Sequence, residues 1–171
     1  MLNATHSALA YLGLLAGHEF IHQAMQDPML HRFADYLLET EVLPVIVSPK
    51  DFDLLQYKQS ILSRFANSQI QYRTAQVASD GSQKLIQRVY PSIQNHIELG
   101  TPCQGLMLIV SAWLRCSCNK EIAGEFADPG AAMIRGLSEH ELPERLQSVI
   151  KIFGPAGSEK RFLQEVSTGY T

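Results

Sequence analysis

Apolar residues recur along this chain at helical spacing. Leu54, Leu55, Ile61, Leu62 and Phe65 fall on one face of a predicted helix. Leu85, Ile86, Val89, Ile93 and Ile97 form a second stripe, with Pro91 marking a kink or restart, and Leu142, Leu146, Val149, Ile150 and Phe153 a third. The run Leu106 to Leu114 is apolar on every side, which predicts a helix at the centre of a bundle. Only Val45 to Val47 and Ile70 to Val77 offer weak strand candidates. Helix starts are marked as well. Asp27-Pro28, Ser48-Pro49 and Thr101-Pro102 each set a capping side chain before a proline. Thr101 to Gln104 and Ser138 to Glu141 have the capping-box form, and Ser48 to Asp51 an acidic variant of it.

These signals predict helices over 6–25, 28–44, 49–66, 82–98, 102–117, 139–154 and 158–167. Two stretches read as irregular, Asn67 to Gly81 and Asn119 to Gly136. The expectation is an all-α fold, a single compact multi-helix domain over 1–171, without a Rossmann domain.

Composition narrows the function classes. The chain has 171 residues, 46% hydrophobic and 18% charged, which is globular composition. A formal charge of -3 gives no basic field for nucleic acid. Three cysteines cannot form a fully paired disulfide framework. The apolar run Ala8 to Gly17 lacks a preceding Lys or Arg and is too short for a membrane span. A cytoplasmic protein with reduced thiols and no membrane association is expected.

Several residues carry candidate chemistry. His18-Glu19-Phe20-Ile21-His22 is an HExxH, which on a helix brings two histidines onto one face to grip zinc. No third-ligand pattern follows it, so two ordinary polar histidines compete with a zinc hydrolase site, and no metal is expected. Cys116 and Cys118 are too close for a CxxC pair, and Trp113 reads as core. Asp80-Gly81-Ser82-Gln83-Lys84 turns into a helix that Ser82 or Asp80 can cap. A lysine in the first helical turn opposes the helix dipole, unless an anion binds there. A solvated Lys84 is the competing reading. Asn3 and His6 share a face at a helix start. Asn can donate to a carbonyl oxygen and His can donate or relay a proton, although a simple cap would use the same residues.

The same residues carry a resemblance. Asn3-Ala-Thr-His6 through Gly13, Arg64-Phe-Ala-Asn67, and Arg73-Thr-Ala-Gln76 through Lys84-Leu85 resemble the substrate domain of the long-chain mannitol dehydrogenase family, across essentially the whole chain. The resemblance implies an all-helical C-terminal domain that works with an N-terminal NAD-binding domain or chain. It implies NAD as cofactor and reversible hydride transfer at a secondary alcohol of a polyol or sugar acid. In that family a lysine, an Asn five residues on and a His three further form the catalytic set. Asn3 and His6 match the last two as catalytic residues, and the lysine would stand before Met1. Lys84 matches a substrate-binding lysine, and Gln76 stands where relatives carry a substrate-binding arginine. The pattern around Gln76 is similar to the fructuronate reductase (D-mannonate oxidoreductase) branch, which interconverts D-mannonate and D-fructuronate. The expectation is half of an enzyme, inactive on its own and without residues that bind NAD. A non-catalytic helical remnant, or a split subunit that needs a Rossmann partner, is the rival.

Overall fold

The computed structural model describes residues 2–48 and 50–135. Among them run nine α-helices: α1 (Leu2–Leu15), α2 (Ile21–Gln26), α3 (Pro28–Tyr36), α4 (Leu54–Ala66), α5 (Thr74–Ala78), α6 (Gly81–Arg88), α7 (Tyr90–Leu99), α8 (Gln104–Cys118) and α9 (Pro129–Arg135). A π-helical segment (Leu37–Val42) and a 3-10 turn (Leu43–Val45) extend α3. The described residues contain no strand, only an isolated antiparallel bridge between Phe20 and Arg73. The predicted helices over 139–154 and 158–167, the stripe from Leu142 to Phe153 and the box at Ser138 lie outside the described residues.

The apolar run of α8 forms the centre. Leu106, Met107, Ile109, Val110, Ala112, Trp113 and Leu114 are all buried. α1 lies along α8 and also touches α2, α3, α5 and α6. It contributes Ala8, Leu9, Ala10 and Tyr11 to the same core. The α6–α7 stripe behaves as predicted, with Leu85, Val89 and Ile93 buried and a break at Val89 beside Pro91. On α4, Ile61 and Phe65 turn inward, whereas Leu55 is exposed. Buried Lys58 on the same helix reaches Asp35 and Glu39, each at 2.8 Å, and ties α4 to α3 and the π segment.

Four boundaries differ from expectation. The helix predicted over 6–25 breaks after Leu15. Gly17 adopts φ +80°, and the Gly17 and His18 amides bond back to Leu14 O and Gly13 O. That pair is a Schellman stop, and glycine alone adopts its left-handed conformation without cost. The apolar spacing continues across the break and hides it. α4 begins at Leu54 rather than near residue 49, because the Asp53 carboxylate caps Gln56 N at 2.9 Å. The Thr101 box does not form. α8 begins at Gln104, and Thr101 Oγ1 instead meets His96 Nδ1 at 2.7 Å. The stretches expected to be irregular contain α5 and α9. Asp27 does cap α3 as predicted, accepting from Met29 N at 2.7 Å and Leu30 N at 3.3 Å.

Two helix starts are capped from far away in sequence. Glu41, buried at the end of the π segment, accepts Gly105 N and Leu106 N at 2.8 Å each. Pro44 just beyond brings no N–H to an α ladder, consistent with the irregular helix that turns Glu41 inward. Asp128, just before α9, accepts Ser82 N and Trp113 Nε1 at 2.8 Å, Gly130 N at 3.0 Å, and the Ser82 hydroxyl. It caps α6 in place of Ser82 or Asp80. Trp113 is core, as expected, but with a polar task as well.

Candidate functional site

The start of α6 is tightly built. A Cβ on Gly81 would lie 2.1 Å from Tyr11 Oη and 2.7 Å from Trp113 Cδ1, so only glycine fits. Asp80 holds a left-handed conformation (φ 58°) and its amide donates to Ala127 O at 2.8 Å. Asp tolerates that conformation better than most residues. The tight turn brings Lys84 back over its own helix start, where Nζ donates to Ser79 O at 2.6 Å. One carbonyl engages one of three ammonium donors.

His6 projects from α1 into an aromatic bracket. Its ring stacks on Phe65 of α4, with centroids 4.8 Å apart, and meets the edge of Tyr72 at 5.5 Å. Its Nε2 is buried and has no hydrogen-bond partner among the described residues. Burial, followed by the charges of Lys84, Arg64 and Arg88, lowers its pKa from 6.5 to about 4. His6 is therefore a neutral imidazole near pH 7, with one ring nitrogen waiting for a partner. Native proteins rarely leave such an atom unpaired.

The structure brings His6 and Lys84 into one electrostatic neighbourhood and adds Arg64 and Arg88 to it. Asn3 lies one turn before His6 on α1 and is exposed. Gln76 is exposed on α5 and lines a cleft of about 340 Å³ with Arg73, Ala75, Ser79 and Glu125. Ser79 connects that cleft to Lys84. Sequence reasoning did not single out Arg64 and Arg88 as site residues. Arg88 stands four residues after Lys84, and that helical spacing was the available signal.

The HExxH does not lie on one helix. His18 and Glu19 sit in the break, and only His22 belongs to α2. His18 meets Asp27 at 3.5 Å, Glu19 pairs with Arg73 at 3.0 Å, and His22 stacks on Phe20. The one-face geometry that zinc requires is absent. Among the described residues no three His, Cys, Asp or Glu side chains gather to hold a metal. Cys116 is a core thiol, bonded to Tyr11 O at 3.4 Å and pushed up to about 12 by burial. No helix among the described residues is long and apolar enough to cross a membrane.

Comparison with known proteins identifies the family and the fold. The family model of the mannitol dehydrogenase C-terminal domain matches residues 1–171. The uncharacterized oxidoreductase YeiQ of Escherichia coli K12 is 38% identical over 161 residues, covering 90% of this chain and 33% of that protein. D-mannonate oxidoreductase of the same organism is 32% identical over 158 residues, covering 90% and 32%. The solved ternary complex of Pseudomonas fluorescens mannitol 2-dehydrogenase with NAD and D-mannitol matches with a TM-score of 0.88 at 31% identity, over 99% of this chain and 36% of that one. The chain spans about a third of the length of the curated relatives it matches. Matched from end to end, all-helical where described, and similar in fold to a solved member, the chain belongs to the mannitol dehydrogenase C-terminal domain family.

Proposed function

We propose that this chain supplies the substrate-binding surface and part of the catalytic set of an NAD-dependent oxidoreductase. Its substrate is a secondary alcohol of an open-chain sugar acid or polyol, with D-mannonate and D-fructuronate as the favoured pair. One observation carries this reading. Among the described residues His6 Nε2 is buried, neutral and unpartnered, and the charges of three cations act on its ring. A substrate oxygen is the partner it lacks.

The described residues contain neither a strand nor a glycine-rich turn after one, so they do not fit a dinucleotide. NAD belongs to a separate domain or chain, and hydride transfer is its chemistry. This chain's own residues bind and polarise. A neutral imidazole donates a hydrogen bond to the reacting oxygen without giving up a full proton. Asn3, one turn earlier, offers an amide donor to the same oxygen. Lys84 spends one donor on Ser79 and keeps two for a more distant substrate group. The nearby positive charges favour negative charge developing on the reacting oxygen. Three cysteines that no disulfide joins suit a cytoplasmic setting.

Turnover tests the reading. The chain joined to an NAD-binding domain is expected to oxidise D-mannonate with formation of NADH, and the chain alone to form none. His6→Ala is expected to lower kcat/KM by about a hundredfold or more. Activity that survives this substitution, or NAD-dependent oxidation by the chain alone, would sink it.

A further inference from the structure

The charges of three cations on two helices, Lys84 and Arg88 on α6 and Arg64 on α4, act on His6. Lys84 and Arg88 lie one turn apart on α6, so they share a face. Arg64 on α4 directly precedes Phe65, whose ring covers the imidazole at 4.8 Å. Among the described residues none of the three has an acidic partner, whereas Lys58 meets two carboxylates and Arg73 meets Glu19. The chain as a whole carries -3, so unpaired positive charge gathered at one place runs against its composition. Like charges held together repel and cost stability, unless an anion joins them. Guanidinium groups match a planar carboxylate with two parallel N–H donors, which a lysine cannot do.

We propose that Arg64 and Arg88, together with Lys84, receive the carboxylate of a sugar acid beside His6 and so set the preference for sugar acids over neutral polyols. The assignment rests on the substrate-domain reading above and adds two specificity-determining residues to it. The field of these same three cations acts on the His6 ring, so a carboxylate bound among them offsets that field while Nε2 holds the reacting oxygen.

Equilibrium binding to the full 171-residue chain tests this, with the His6 ring protons followed by NMR. The probes are an aldonate, the polyol of the same carbon skeleton, and a terminal phosphate ester of that polyol. The aldonate is expected to bind most tightly, and the ratio of aldonate to polyol affinity to shrink as salt rises. Arg64→Gln and Arg88→Gln are each expected to lower that ratio about fivefold. Both side chains are exposed, and the Arg→Lys variants keep the charge and are expected to recover part of the ratio. Equal binding of aldonate and polyol, or a ratio untouched by both substitutions, overturns the proposal. A phosphate ester that outbinds the aldonate also overturns it, in favour of a phosphate site. Turnover is not read here. Loss of NAD-dependent oxidation alone removes the enzyme reading and leaves the affinity ratio standing, whereas an unchanged ratio with turnover intact removes only the two arginines.

Discussion

Asp128 and His6 are both polar side chains set against the core, yet their surroundings are opposite. Asp128 meets four donors, from Ser82 N, the Ser82 hydroxyl, Trp113 Nε1 and Gly130 N. His6 offers a buried Nε2 that nothing among the described residues meets. A saturated buried carboxylate holds its elements in register, since the donors around it lose a shared acceptor if the carboxylate is lost. An unsaturated imidazole with cations around it does the reverse. It lowers the stability of the free protein and leaves a bonding position for something else. The two regions meet at α6. Asp128 caps the start of that helix, and the charges of Lys84 and Arg88 on the same helix act on the histidine. The rigid region aims the reactive one.

The largest expected effect lies on the saturated side. Asp128→Ala takes the carboxylate acceptor from Ser82 N and Trp113 Nε1 in the core, leaves Gly130 N the Ser82 hydroxyl at 3.2 Å, and frees the start of α6. The loss is expected to be about 4 kcal/mol or more. Asp128→Asn keeps the shape but turns one acceptor into a donor facing donors, and is expected to lose roughly half as much. Urea denaturation measures both. A loss under about 1 kcal/mol for the alanine variant would show that Asp128 is not the fixed point of this fold.

A smaller effect belongs to the unsaturated side and appears as a pH dependence. His6 takes up its proton at about 4 in the fold, against 6.5 in the unfolded chain. Between those values the unfolded chain binds more protons, so stability rises with pH there. His6 therefore contributes fully above about pH 6.5, and that contribution fades as the pH falls to about 4. The difference amounts to at most about 3 kcal/mol. Carboxylates titrate over the same acidic range, so the measurement compares unfolding free energies of the wild type and His6→Gln across pH 4 to 7. Parallel curves would mean that His6 titrates normally and that the cation cluster does not act on it.

Much of the frame was legible because it depends on local spacing. The stripe on α6 and α7, the all-apolar α8 and the Asp27-Pro28 cap are each set by residues within a few turns of one another. What escaped was remote. The true caps of α6 and α8 come from Asp128 and Glu41, far away in sequence, so the local box at Thr101 and the local caps at Ser82 and Asp80 pointed to the wrong side chains. Gly17 was visible, but the apolar spacing on both sides of it argued for continuity. In the site, Asn3, His6 and Lys84 stood in recognisable motifs. Arg64 also stood in a quoted motif but was given no site role, because its relation to His6 depends on Phe65 of α4 packing against the ring, which no local spacing reveals.

The sharpest test of the comparison has the smallest expected effect. His6→Phe replaces an imidazole that stacks on Phe65 and edges Tyr72 with a ring of similar size. It removes the buried unpaired nitrogen and the group on which three cations act. Replacing an unsatisfied polar group with an apolar one of similar shape is neutral or stabilising. The variant is expected to match the wild type within about 1 kcal/mol at pH 7, or to exceed it, while losing contact with the reacting oxygen of the substrate. Urea denaturation reads the first part, and NMR-detected binding of an aldonate reads the second. A loss above about 2 kcal/mol would place His6 with Asp128 among the groups that hold the fold. Retained stability with lost binding would mean that His6 is kept for what it does to a ligand, at a small cost to the protein that carries it.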